Sequence, residues 1–205
     1  AWNVNMENGN VNNNNKRNDN NALCVRYREL KPLFSFENVY AQYIKCRKNK
    51  RRTFNALKFE IDAEENLFNL CEELQLKNYS PSRSVCFIVQ KPKLREIIAS
   101  DFRDRIVHHI LIDRLEKIFE PIFIYNSFSC RKNKGLHKAV KRVQDYIRIA
   151  SKNGSDKLYY IHLDIKNFFM TINKDILYDI LKRKVKDEEV LWLASKIIYN
   201  DPTVN

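Results

Sequence analysis

The stretch Tyr159-Tyr-Ile-His-Leu-Asp-Ile-Lys-Asn-Phe-Phe169 alternates with a period of two. Tyr159, Ile161, Leu163 and Ile165 fall on one side, and Tyr160, His162, Asp164 and Lys166 on the other. That spacing predicts a strand packed on a core by its apolar side, holding Asp164 above the sheet. Phe168 and Phe169 follow where the strand gives way to a turn. Taken alone, an aspartate at a strand end is better explained as a turn or helix-cap residue. The residues upstream decide between the two.

Upstream of the loop at Asn153-Gly154, Leu136, Val140, Val143 and Ile147 have helical spacing and are expected to face inward, leaving Lys138, Lys141 and Arg142 to solvent. A basic turn, Arg131 to Gly135, precedes them. Ile106, Val107, Ile110, Leu111, Leu115 and Ile118 predict a long helix from about Asp101 to Phe119, stopped by Pro121. Ser84 to Gln90 reads as a buried strand that turns at Lys91-Pro92-Lys93 into Leu94 to Ala99, a hairpin with a basic tip. Asp62 and Glu65 have capping-box spacing ahead of Leu67, Leu70, Cys71 and Leu74. Glu37 to Cys46 reads as a short helix followed by the cluster Lys45, Arg47, Lys48, Lys50, Arg51 and Arg52. The order of helices, hairpin, helices, strand and helix suits an α+β domain.

Composition limits the function. The 205 residues are 44% hydrophobic, ample for a core, and carry a formal charge of +12. A basic surface draws polyanions through long-range attraction and counterion release, so nucleic acid is the leading partner. Five dispersed cysteines without a C-x-x-C pair argue against a disulfide framework or a zinc site and read as reduced core thiols. Dinucleotide and P-loop fingerprints are absent. No apolar run is long enough to span a bilayer and no signal-peptide core is present, so the expected setting is cytoplasmic, away from membranes. Residues 1–26 begin with a run crowded by asparagine, with little to bury, and are expected to be disordered.

Three blocks carry a resemblance to a family. Lys91-Pro-Lys-Leu-Arg-Glu-Ile-Ile-Ala99, continuing through Phe102 to His109, resembles the fingers segment of bacterial reverse transcriptases. Asn126-Ser-Phe-Ser-Cys-Arg-Lys-Asn-Lys-Gly135 resembles the block that follows, and Leu163-Asp-Ile-Lys-Asn-Phe-Phe169 the first palm motif. The nearest subgroup by resemblance is that of diversity-generating retroelements, with group II intron and retron enzymes as relatives. The implied fold is the fingers (residues 27–150) and an incomplete start of the palm (residues 151–205) of a right-hand polymerase, mainly helical, with a β-hairpin and a palm strand. Trp2 to Lys16 and Cys24-Val-Arg26 resemble the end of the variable lectin-like proteins that such retroelements diversify. Residues 1–26 thus read either as a translated template repeat or as an ordinary asparagine-rich linker.

The resemblance implies an RNA-directed DNA polymerase that copies a retroelement template RNA into cDNA from deoxynucleoside triphosphates with Mg²⁺; an accessory protein that delivers the RNA is left open. It makes Asp164 the catalytic metal ligand, with the Ile165 carbonyl beside it. Arg95, Lys91 and Lys93 would meet the triphosphate. Phe169 stands where the family places the aromatic gate against a ribose 2′-hydroxyl, with Asn167 and Phe168 alongside. Arg131, Lys132 and Lys134 would contact the template backbone, whereas Arg103, Asp104 and Arg105 read at least as well as a structural salt-bridge network. The family's later pair of aspartates is not found before Asn205, so these 205 residues alone are expected to be inactive. The competing reading is a basic RNA-binding module of a reverse-transcriptase-like maturation or defence protein that grips RNA without copying it.

Overall fold

The computed structural model describes residues 2–4, 11–13, 32–48, 50, 53–91 and 94–201. The chain divides into two compact units, Ala1–Lys31 and Pro32–Asn205. In the first, β1 (Trp2–Val4) pairs antiparallel with β2 (Val11–Asn13), with Val4 opposite Val11. The remainder of the asparagine-rich segment lies outside the described residues.

The second unit is built on α1 (Phe36–Arg47), α2 (Phe54–Ile61), α3 (Ala63–Gln75) and α4 (Phe102–Phe119). Ser35 starts α1, its Oγ accepting from the Asn38 amide at 3.3 Å. Asp101 starts α4 in the same way, accepting from the Arg103 amide at 3.1 Å. Such caps satisfy amides that no preceding turn can reach. Asp62 departs from the expected capping box. It ends α2 and begins α3 at once, its side chain makes no capping bond, and only its carbonyl is used, by the Asn66 amide at 2.9 Å. A residue shared by two helices has its backbone set by both, which aims the carboxylate away from the amides.

The apolar stripes of α1, α3 and α4 meet in one core. Val39, Leu70, Leu74, Ile106, Val107 and Ile110 are fully enclosed, and Tyr43, Phe59 and Phe102 form an aromatic cluster with centroids 5.4 to 6.2 Å apart. Further along the chain, α7 (Lys174–Lys184) and α8 (Glu188–Ile198) add Leu181, Val190, Leu193 and Ala194 to the same core. Trp192 of α8 meets Phe34 edge-on at 5.7 Å. Cys46 and Cys71 are buried free thiols as expected, whereas Cys86 and Cys130 are exposed.

His108 and His109 lie on α4, and burial pushes both imidazoles below the ordinary histidine range. A base with a lowered pKa binds fewer protons folded than unfolded. Its stabilising effect is complete above the unfolded value of about 6.5 and is lost as pH falls below it. The melting temperature is therefore expected to drop between pH 7 and pH 5, with a shallower drop in His108→Gln. Melts of the two proteins across that range check it.

Two elements form as expected but without the expected burial. β3 (Val85–Val89) and β4 (Arg95–Ala99) make an antiparallel hairpin, with Val85 opposite Ala99 and Val89 opposite Arg95. Val85, Phe87, Ile88, Ile97 and Ile98 are nevertheless exposed, because a two-stranded ribbon has no second layer to cover it. α5 (Leu136–Ala150) forms over the expected residues, yet Leu136, Val140, Val143 and Ile147 face solvent and no residue of this helix is buried. Amphipathicity marks which side would be covered and does not supply the cover.

The Tyr159–Ile165 strand is not formed. Residues 157–165 follow an irregular path, and Tyr160 (92% exposed) is no more open than Tyr159 (96%) on the side expected to pack. A strand exists only through bonds to a neighbour, and no other described segment pairs with this one. The result is an α+β unit, mainly helical with a small antiparallel sheet. Among the described residues no helix is long and apolar enough to cross a membrane.

Candidate nucleotide and nucleic-acid interface

The hairpin is held at its base by a buried carboxylate. Asp104, in the first turn of α4, accepts from Tyr79 Oη at 2.8 Å and from the Ser82 amide at 2.9 Å. Tyr79 is wholly enclosed, and burial followed by the nearby Asp104 charge drives its phenol pKa far upward. Arg103 lies across the Tyr79 ring, 5.1 Å from its centroid, and pairs with Glu73 of α3. Arg105 donates to the Ser100 carbonyl at 2.9 Å. The Arg-Asp-Arg run therefore forms a structural network that fixes where β3 leaves and β4 returns.

On that hairpin, the side chains of Lys91 and Arg95 are exposed and, among the described residues, have no hydrogen-bond or ion-pair partner. Lys93 lies outside the described residues. An unpaired guanidinium can give a phosphate two parallel bonds, which a lysine cannot.

The loop between α4 and α5 is organised by Arg131. Its Nε donates to the Glu120 carboxylate at 2.9 Å, and Nη1 to the Ile124 and Ser127 carbonyls at 3.0 and 3.1 Å. The guanidinium also sits 5.3 Å from the Phe123 ring centroid. Those donors are used within the loop, so Arg131 acts there as a brace. Lys132 pairs with Glu116 of α4. Lys134 donates to the Tyr125 carbonyl at 2.7 Å and lies over the Tyr125 ring at 4.0 Å. Gly135 closes the loop at φ +99°, a conformation that suits glycine, and donates to the Phe128 carbonyl at 3.1 Å.

Sequence reasoning missed a feature of this loop. Arg142 of α5 has its guanidinium 5.2 Å from the Tyr125 centroid and 4.5 Å from that of Tyr146. Asn126 donates to Tyr146 Oη at 2.9 Å. The available signal was the i, i+4 pair Arg142 and Tyr146, on a helix read only for its apolar side.

Asp164 is exposed and, among the described residues, has no hydrogen-bond or ion-pair partner. It is not a helix cap. The residue before the short helix α6 (Phe168–Thr171) is Asn167, in the left-handed region at φ +53°, and its carbonyl accepts from Thr171 Oγ1 at 3.1 Å. Ile165 is exposed, Phe169 is 88% exposed, and Phe168 meets Phe169 edge-on at 5.4 Å. Among the described residues no three acidic, histidine or cysteine side chains gather as a metal centre. Mg²⁺ is commonly held through one or two carboxylates plus substrate phosphates, so Asp164 fits such an ion as one ligand, with the Ile165 carbonyl able to be another. It does not by itself make a two-ion centre. The hairpin, the loop and the Asp164 segment remain separate stretches, with no hydrogen bond or ion pair joining one to another among the described residues.

No protein-family model matches the chain. It is 28% identical over 120 residues to nuclear intron maturase 1, mitochondrial, of Arabidopsis thaliana, covering 57% of this chain and 16% of that protein. It is 28% identical over 121 residues to the 91 kDa protein in the cob intron of Schizosaccharomyces pombe, covering 59% and 14%. Protein YkfC of Escherichia coli is 26% identical over 131 residues, covering 63% and 34%. The matched stretch thus spans about a third or less of each of these relatives, two of which are named for introns.

Proposed function

We propose that this chain is the fingers and first palm segment of a right-hand, RNA-directed DNA polymerase, and that it engages template RNA and an incoming deoxynucleoside triphosphate. The observation that carries the reading is Asp164: a carboxylate inside a palm-like motif, exposed and free of any structural partner among the described residues. Nucleotide addition is an in-line phosphoryl transfer in which the protein chiefly positions groups and neutralises charge. Mg²⁺, when bound, supplies Lewis-acid stabilisation of the phosphoryl oxygens. Asp164 and the Ile165 carbonyl present oxygens to it, and Arg95, with Lys91 and Lys93, takes up triphosphate charge. Phe169, beside Asn167 and Phe168, offers an exposed ring as the 2′-hydroxyl gate. Lys132 and Lys134 are the template-backbone candidates, while Arg131 supports them by holding the loop.

The second reading is a maturation protein that binds RNA without copying it, and the maturase among the relatives favours it. The two separate in one assay. A protein carrying this chain with the rest of the polymerase is given a primed RNA, deoxynucleoside triphosphates and Mg²⁺. Templated extension supports the polymerase; tight RNA binding without extension supports the maturation module. The diversity-generating subclass rests on the resemblance of the three motif blocks, supported by residues 1–26. Adenine-restricted differences between their coding DNA and a neighbouring gene would establish it.

A further inference from the structure

The loop between α4 and α5, together with α5 itself, builds a cation-lined aromatic surface in which Tyr125, Arg142 and Tyr146 lie outside the reverse-transcriptase-like block Asn126 to Gly135 and join its Lys134. Tyr125 is 69% exposed and Tyr146 43% exposed, with Arg142 bridging their rings. Lys134 lies 4.0 Å from the Tyr125 centroid and 4.9 Å from that of Phe128. Arg142 Nε, shielded from solvent, makes no hydrogen bond. Asn126 fixes the Tyr146 ring through its hydroxyl.

A core cluster would enclose its rings, and a solvated charge run would have no rings in it. This surface does neither. Exposed rings alternating with fixed cations match a strand of unpaired bases, since every base has a face to stack and every linkage a charge to neutralise. Duplex RNA hides those faces in its own stack. The chain's formal charge of +12 favours the same class of partner.

We infer that Tyr125, Tyr146, Arg142 and Lys134 form a stacking site for single-stranded RNA, distinct from the Asp164 segment. The inference rests on the reading of the chain as RNA-engaging and adds Tyr125, Tyr146 and Arg142 to the expected template residue Lys134.

The test titrates the full 205-residue chain against an end-labelled short oligouridylate and a duplex RNA of equal length, over a range of salt. The double variant Tyr125→Ala/Tyr146→Ala should bind the single strand about tenfold more weakly or worse, with the salt slope unchanged. The corresponding Phe pair should bind as the parent does, which guards against a folding defect, as does an unchanged melt. Arg142→Gln should reduce the salt slope by about 0.7, the share of one phosphate contact on a single strand. The site is overturned if the Ala pair binds the single strand like the parent, or if the Ala pair loses affinity equally for duplex. If the parent chain binds neither RNA, the RNA-engaging reading itself fails and the site with it.

Discussion

Asp164→Asn, in a protein that carries this chain with the remaining polymerase segments, is expected to lower templated nucleotide addition by on the order of a thousandfold or more. The amide keeps the shape of the side chain and removes its charge. Several kcal/mol of charge stabilisation would be withdrawn from the reacting phosphates, and each 1.36 kcal/mol is about tenfold in rate. Binding of the template should change little, because phosphate contacts elsewhere carry most of that affinity. The fold should not respond either, since Asp164 has no hydrogen-bond or ion-pair partner among the described residues. Primer extension, RNA titration and a thermal melt on the same two proteins check all three. Extension at the parental rate would remove Asp164 from the catalytic site.

Asp104→Ala should have the opposite signature, with a large loss of stability. The substitution strands Tyr79 Oη, which has no access to water, and leaves the Ser82 amide without its acceptor. Arg103, 3.5 Å from the carboxylate, loses a partner as well. Removing one member of a buried charged network of this kind costs about 3–5 kcal/mol. Tyr79→Phe removes a single bond to a charged acceptor and should cost about 1.5–3 kcal/mol. The two changes share a partner and should not add. Tyr79 also supplies a pH signature. Its pKa is raised in the fold, so its contribution is complete below the ordinary tyrosine value of about 10 and declines as pH rises past it. Urea denaturation at neutral and alkaline pH compares the three proteins. A loss under about 1 kcal/mol for Asp104→Ala would show that the network is not what holds the hairpin base.

The sequence was most legible where one segment contains its own answer. α1, α4 and α5 lie within a few residues of their expected positions because helix periodicity and caps are local. The β3–β4 hairpin was equally plain, having its turn between its strands. What could not be read was cover. The same alternation that marks Tyr159 to Ile165 as a strand fits a segment with no partner, and the stripe of α5 fits a helix with nothing over it. The site divides along the same line. Lys91, Arg95 and Asp164 are placed as free groups, whereas Arg131 is turned inward by Glu120 and two loop carbonyls. Its residue type gave no hint of that, because a guanidinium serves a carbonyl as readily as a phosphate. Asp62 failed as a cap for a related reason: spacing specifies which groups can meet, and the backbone of two abutting helices decided otherwise.

The exposed ribbon anchored at Asp104 gives the molecule two regimes of cooperativity. α4 is locked into the core and can open only when the whole unit does, whereas a two-stranded ladder with bare sides stands at the low end of local stability. Arg95 begins the returning strand of that ladder, paired with Val89. An anion that seats on Arg95 therefore stiffens the strand that presents it, and part of its binding energy goes into that ordering. Grip and rigidity would then arrive in one step, with the buried carboxylate as the fulcrum about which the ribbon settles.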